Sequence, residues 1–86
     1  MDYSDLTRPT EAPGELQRLV DAAFAYDVAV SQMSLVLSAE SLDLDEEVME
    51  VVGLLPPGSY LRHEMCDQLN SIVTAHGWGM TVGTVS

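Results

Sequence analysis

The stretch Glu15–Leu37, ELQRLVDAAFAYDVAVSQMSLVL, places Leu16, Leu19, Ala23, Tyr26, Val30, Met33 and Leu37 at alternating spacings of three and four. On a helix these residues form one apolar seam, which must lie against another helix of this chain or of a second copy. The two halves of the stretch differ. Up to Asp27, Leu16, Leu19, Val20, Ala23 and Tyr26 share a face while Gln17, Arg18 and Asp21 lie opposite, an ordinary amphipathic pattern. From Val28 onward, Val28, Ala29, Val30, Met33, Leu35, Val36 and Leu37 surround the helical projection, relieved by Ser31, Gln32, Ser34 and Ser38. A helix apolar on every side needs cover on every side, which a small monomer does not offer, so an oligomer interface is expected here. Met33, Leu35 and Leu37 also alternate with Gln32, Ser34, Val36 and Ser38, the period-two mark of a half-buried strand. We take the helix, with the strand as the alternative. Under either reading Val28, Val30, Met33, Leu35, Val36 and Leu37 are the expected contact with a second subunit.

Upstream, Met1–Ala12 is poor in apolar residues and contains Pro9, which predicts a flexible arm preceding a single domain over residues 13–86. Pro13 suits a first helical turn, where its missing N–H costs nothing. Downstream, Ala39–Asp43 is a polar connection. Asp43 followed three residues later by Glu46 has the form of a capping box, so a second helix is predicted from Asp43 to Leu55. Its buried stripe is Leu44, Val48, Val51, Val52 and Leu55, and Pro56-Pro57-Gly58 ends it. Ser59 is the expected N-cap of a third helix reaching His76, with Leu61, Met65, Leu69, Ile72, Val73 and His76 inward and Gly77 as left-handed terminator. The remainder, Trp78 to Ser86, is rich in glycine and β-branched residues and lacks charge, which predicts a strand. A lone strand needs a partner, so Met80 and Val82 are expected to pair with Gln32–Ser38 or with its counterpart in a second subunit. The expected fold is mainly α: a compact three-helix domain with a short C-terminal β-segment.

Charge is the strongest feature of the composition. Fourteen acids against three arginines and no lysine give a net charge of −11 over 86 residues. Residues 39–53 alone hold Glu40, Asp43, Asp45, Glu46, Glu47 and Glu50 with no base. This negative pole repels nucleic-acid phosphate and anionic lipid and attracts a basic protein. Part of it has a purely structural explanation, because Asp45, Glu46 and Glu47 would sit in a first helical turn, where exposed N–H groups favour negative charge. A chain of this length buries only about 60–65% of its unfolded surface, so self-association would add needed stability. The acidic N-terminus excludes a secretory leader, no apolar run approaches a membrane span, and the single Cys66 suits a reducing compartment; these features point to the cytoplasm.

Residues capable of chemistry are few and poorly assembled. His63 with Cys66 or Asp67 has a helical ligand spacing, but His76 falls about 140° around the helix from His63. No metal site and no cofactor are expected. Cys66 reads as a small buried hydrophobe, with Arg62 one turn back and Glu64 and Asp67 opposing it. No serine lies in a Gly-x-Ser-x-Gly turn, and the glycines around Trp78 are not followed by the lysine of a phosphate loop. A non-enzymatic role is expected.

The order from Glu46 to Val85 is a helix, a Pro-Gly turn, a helical Arg62–Asn70, an apolar Ser71–His76 and a β-rich end. This order resembles that of winged-helix domains, which makes an α+β winged-helix-like fold the alternative architecture. The resemblance implies a transcription-associated regulator, although Ser71–His76 lacks the length and the basic residues of a recognition helix. The leading expectation is a small acidic interaction domain, dimeric, binding a basic protein as an inhibitor, immunity factor, antitoxin or DNA mimic does. A structural or regulatory dimer, in which charge only solubilises, is the second.

Overall fold

The computed structural model describes residues 11–78 and 82–86. Among them the order is α1 (Glu11–Ala23), β1 (Ala29–Ser31), α2 (Gln32–Ser41), α3 (Glu46–Gly53), β2 (Ser59–Leu61) and α4 (Arg62–Ala75). The mainly helical architecture with a small β part matches the expected class. The expected arm lies largely outside the described residues. Because α1 begins at Glu11, Pro13 stands third in it, still within the first turn, where a backbone N–H has no helical acceptor.

The long helix over Glu15–Leu37 is not formed. It stops at Ala23, Phe24 N–H making a last bond to the Val20 carbonyl at 3.1 Å, and the chain turns through Tyr26 and Val28 into β1. The break solves the problem that an all-round apolar helix poses. It lets Val30 enter the core from a strand and restarts the helix with Leu35 and Ala39 inward. Ser31 fixes the restart, since its backbone is extended and its hydroxyl accepts the Ser34 N–H at 3.0 Å.

β1 pairs antiparallel with β2, Val30 opposite Tyr60, and Gln32 N–H extends the pairing to the Gly58 carbonyl at 2.9 Å. The two strand-to-helix junctions therefore lie at opposite ends of this short ladder, Ser31 facing Ser59 and Leu61 facing Ala29. The partner of β1 is thus Ser59–Leu61 and not the segment containing Val82. Met80 lies outside the described residues. Ser59 belongs to β2, and the N-cap of α4 is Leu61, whose N–H is taken by the Glu64 carboxylate at 2.9 Å. Arg62–Ala75 is one continuous helix through the position where the winged-helix order required two pieces, so that alternative is not the fold. Gly77 ends it in the left-handed region at φ 70°, as its sequence position implied.

The second expected cap also moves. Asp43 adopts φ 55° just after α2, and α3 is capped instead by Asp45, whose carboxylate accepts the Glu47 N–H at 3.0 Å. The core is continuous across the four helices and β1, with the half-buried Tyr60 of β2 packed against it: Leu16, Leu19 and Val20 of α1, Val30, Leu35 and Ala39, then Val48, Val51, Val52 and Leu55, then Met65, Cys66, Leu69 and Val73, closed by Val82 and Val85.

Candidate interaction surface

The fold sorts the acidic residues by what it asks of them. Asp45 caps α3 with its side chain, and its own N–H donates to the Glu15 carboxylate at 2.7 Å. Glu46 and Glu47 occupy the first turn of α3, where the helix dipole stabilises a negative charge. Three of the six are thereby explained by local structure.

Glu40, Asp43 and Glu50 are not. Glu40 stands in the last turn of α2, where carbonyl ends favour a cation and no base is present. Asp43 is exposed at the left-handed terminator, and Glu50 is exposed on α3. Among the described residues the ion pair is Arg62 with Asp21, joining α4 to α1. Among the described residues no base is paired with Glu40, Asp43 or Glu50.

Beside this turn runs an apolar face. On a helix advancing 100° per residue, Met33, Leu37 and Glu40 project together, opposite the buried Leu35 and Ala39. Met33 is 64% exposed and Leu37 57%, and the neighbouring Val28 reaches 82%. Leu42, half exposed, shares a shallow depression with Leu37, Ala22, Ser38 and Ser41. Of the residues expected at an interface, Val30, Leu35 and Val82 are instead buried within the chain, and Val36 is half-buried. Val28, Met33 and Leu37 remain open to a partner. Tyr26, assigned by spacing to the buried seam, is almost fully exposed because α1 ends before it, and Leu42 joins the open apolar face beside Leu37 as an addition from the structure.

The residues capable of chemistry gather on α4 without forming a reactive centre. Arg62, His63, Cys66, Asp67 and Asn70 line a cleft of about 490 Å³ closed on one side by Val85 and Ser86. Burial pushes the Cys66 thiol up, with Asp67 and Asp21 adding to the shift and Arg62 opposing it, so it is a protonated thiol at neutral pH. Asp21 is held below the ordinary carboxylate value, chiefly by the hydrogen bond from Arg62 and then by that from Gln17. His63 is exposed. His76, expected to pack inward, is exposed and stacks on Trp78 with ring centroids 4.7 Å apart. No group of three His, Cys, Asp or Glu side chains is placed to hold a metal among the described residues. No helix among them is long and apolar enough to cross a membrane.

Comparison with protein-family models, with curated proteins and with solved structures returned no match.

Proposed function

We propose that this chain is a small acidic, non-enzymatic interaction domain of the cytoplasm that pairs with a second copy through the open side of α2 and presents the α2–α3 turn to a basic protein. The observation that carries the reading is the juxtaposition on α2. Exposed Met33 and Leu37 share a stripe with Glu40, and the exposed Asp43 follows directly. Apolar side chains left in water favour association, and unpaired acids at their edge select a partner of opposite charge. A two-fold pairing of α2 helices would place Met33 and Leu37 near the axis and send each Glu40 outward, which avoids like-charge contact.

Two variants separate the two parts of this reading. Leu37→Gln is expected to convert a dimer to a monomer in sedimentation, with unchanged helix content. Neutralising Glu40, Asp43 and Glu50 together is expected to abolish retention of a basic partner from extract while leaving the sedimentation mass alone. A monomeric wild type would remove the dimer. Partner retention by the neutralised variant would leave the second reading, a structural or regulatory dimer in which acidity serves solubility. That second reading draws support from Asp45, Glu46 and Glu47, whose charges the start of α3 already uses. A transcription-associated role without the winged-helix fold is a third reading, opposed by the net charge of −11; direct DNA binding at moderate salt would overturn both others.

A further inference from the structure

The last five residues of the sequence, Val82–Ser86, lie across α1 and α4, bonded through Val85 and Ser86 to Gln17 of the one and to Arg62 and Asn70 of the other, beside the Arg62–Asp21 ion pair that joins the two helices. Among the described residues no strand pairs with this segment. Its main chain is held instead by side-chain amides: Asn70 on α4 accepts the Val85 N–H at 2.7 Å and donates to the Val85 carbonyl at 2.8 Å. Gln17 on α1 does the same for Ser86, at 3.1 and 3.0 Å, and Arg62 donates to the Ser86 carbonyl at 2.9 Å. Each carboxamide thus imitates one rung of a ladder, a form of recognition that reads backbone and not side chain.

Side-chain selection comes from elsewhere. Val82 and Val85 are both buried in the core although a straight extended chain would send residues three apart to opposite faces. Gly83, at φ 80°, supplies the bend that turns both valines inward. The Val82 N–H donates to the Trp78 carbonyl at 2.7 Å, which fixes where the segment starts. All three clamping side chains are half-buried, so water reaches the bonds they make.

We propose that the groove between α1 and α4 is a binding site for an extended peptide of the form Val-Gly-x-Val, and that the chain's own Val82–Ser86 is a releasable strap occupying it. The occupant is defined by the seated segment: two valine-sized side chains three positions apart, a glycine able to bend between them, and a free backbone for the carboxamides of Asn70 and Gln17. The cleft lined by His63, Cys66 and Asp67 continues past Val85 and leaves room for a larger side chain at that end. The proposal is independent of pairing through α2.

The test uses the full chain and an acetylated synthetic peptide with the sequence of Val82–Ser86. Gly83→Ala forces a side chain into the left-handed region and loosens the strap without altering Gln17, Asn70 or Arg62. The peptide is expected to shift the side-chain amide resonances of Asn70 and Gln17 saturably in the Gly83→Ala chain, and to bind wild type at least tenfold more weakly. A peptide with aspartate in place of the second valine is expected to do neither. Absence of shifts in the Gly83→Ala chain, or equal binding to wild type, overturns the site. Asn70→Ala, a second and separate variant, is expected to speed hydrogen exchange at the Val85 and Ser86 amides at least tenfold while leaving Leu69 and Val73 unchanged. Uniform acceleration, or none, overturns the strap.

Discussion

Leu35 and Leu37 are two positions apart on one short helix and have opposite fates, which makes them a direct measure of how this chain divides its apolar residues. Leu35 is fully buried and Leu37 mostly exposed. Truncating Leu35 to alanine is expected to cost about 2–5 kcal/mol, the range for a leucine removed from a packed core. Leu37→Ala is expected to stay within about 0.5 kcal/mol of wild type when unfolding is followed at a concentration too low for association. Urea titration of the two variants checks the contrast, and a large loss for Leu37→Ala would mean that the monomer core extends to this residue. Asp21 gives a second local test. Its carboxyl titrates below its ordinary range because Arg62 and Gln17 hydrogen-bond to the charged form. A depressed value means that the contribution is complete above about pH 5 and is lost as the pH falls through the folded-state value. Asp21→Asn should therefore lower stability at neutral pH and show a smaller acid-induced loss than wild type between neutrality and pH 3, as read from paired denaturation midpoints. The effect is small because the pair is open to solvent.

Helix ends make the acidic residues separable. Asp45→Ala removes the side chain that accepts the Glu47 N–H, and about 1 kcal/mol of stability is expected to go with it. Glu40→Lys is expected to act in the opposite direction, raising stability by about 0.3–1 kcal/mol, because it replaces an acid by a base at the C-terminal end of α2. If Glu40 serves a partner, the same variant that stabilises the fold will bind that partner less well; thermal melting and partner retention measured on one preparation decide it. These ends also show what was legible in the residues. Pro56-Pro57-Gly58 and Gly77 punctuate the chain by backbone restriction alone, and the helices they bound lie close to where they were expected. The break between Ala23 and Ala29 was not legible, because the three-and-four spacing runs through it undisturbed and a strand of three residues has no period to detect. Asp43 and Asp45 offered the same capping chemistry, and the choice between them was made by the left-handed turn that ends α2. The acidic surface could be read from composition, whereas which apolar residues of Val28–Leu37 face outward depends on where the helix restarts. The clamp on Val85 and Ser86 joins residues 15 and 69 positions apart, and local pattern carries no trace of such pairs.

A chain with a net charge of −11 and one ion pair among its described residues works against itself both in folding and in association. Its core is continuous from α1 to Val85, yet the exposed Glu40 and Asp43 lie beside the apolar face of α2 where a second copy would approach. Hydrophobic contact at α2 and repulsion between two strongly negative bodies therefore oppose each other, and ionic strength acts on only one of them. The screening length shortens from about 30 Å at 0.01 M salt to about 10 Å at 0.1 M, so added salt should weaken the repulsion while leaving the apolar contact intact. The weight-average mass from sedimentation is accordingly expected to rise with sodium chloride at fixed protein concentration. Neutralising Glu40, Asp43 and Glu50 should reproduce most of that rise at low salt, because it removes the charges nearest the contact. Leu37→Gln should abolish the rise, since it adds no charge and alters only the apolar face. A mass that stays monomeric for wild type at every salt concentration would exclude pairing through α2. A rise that persists in Leu37→Gln would place the contact on another surface of the molecule.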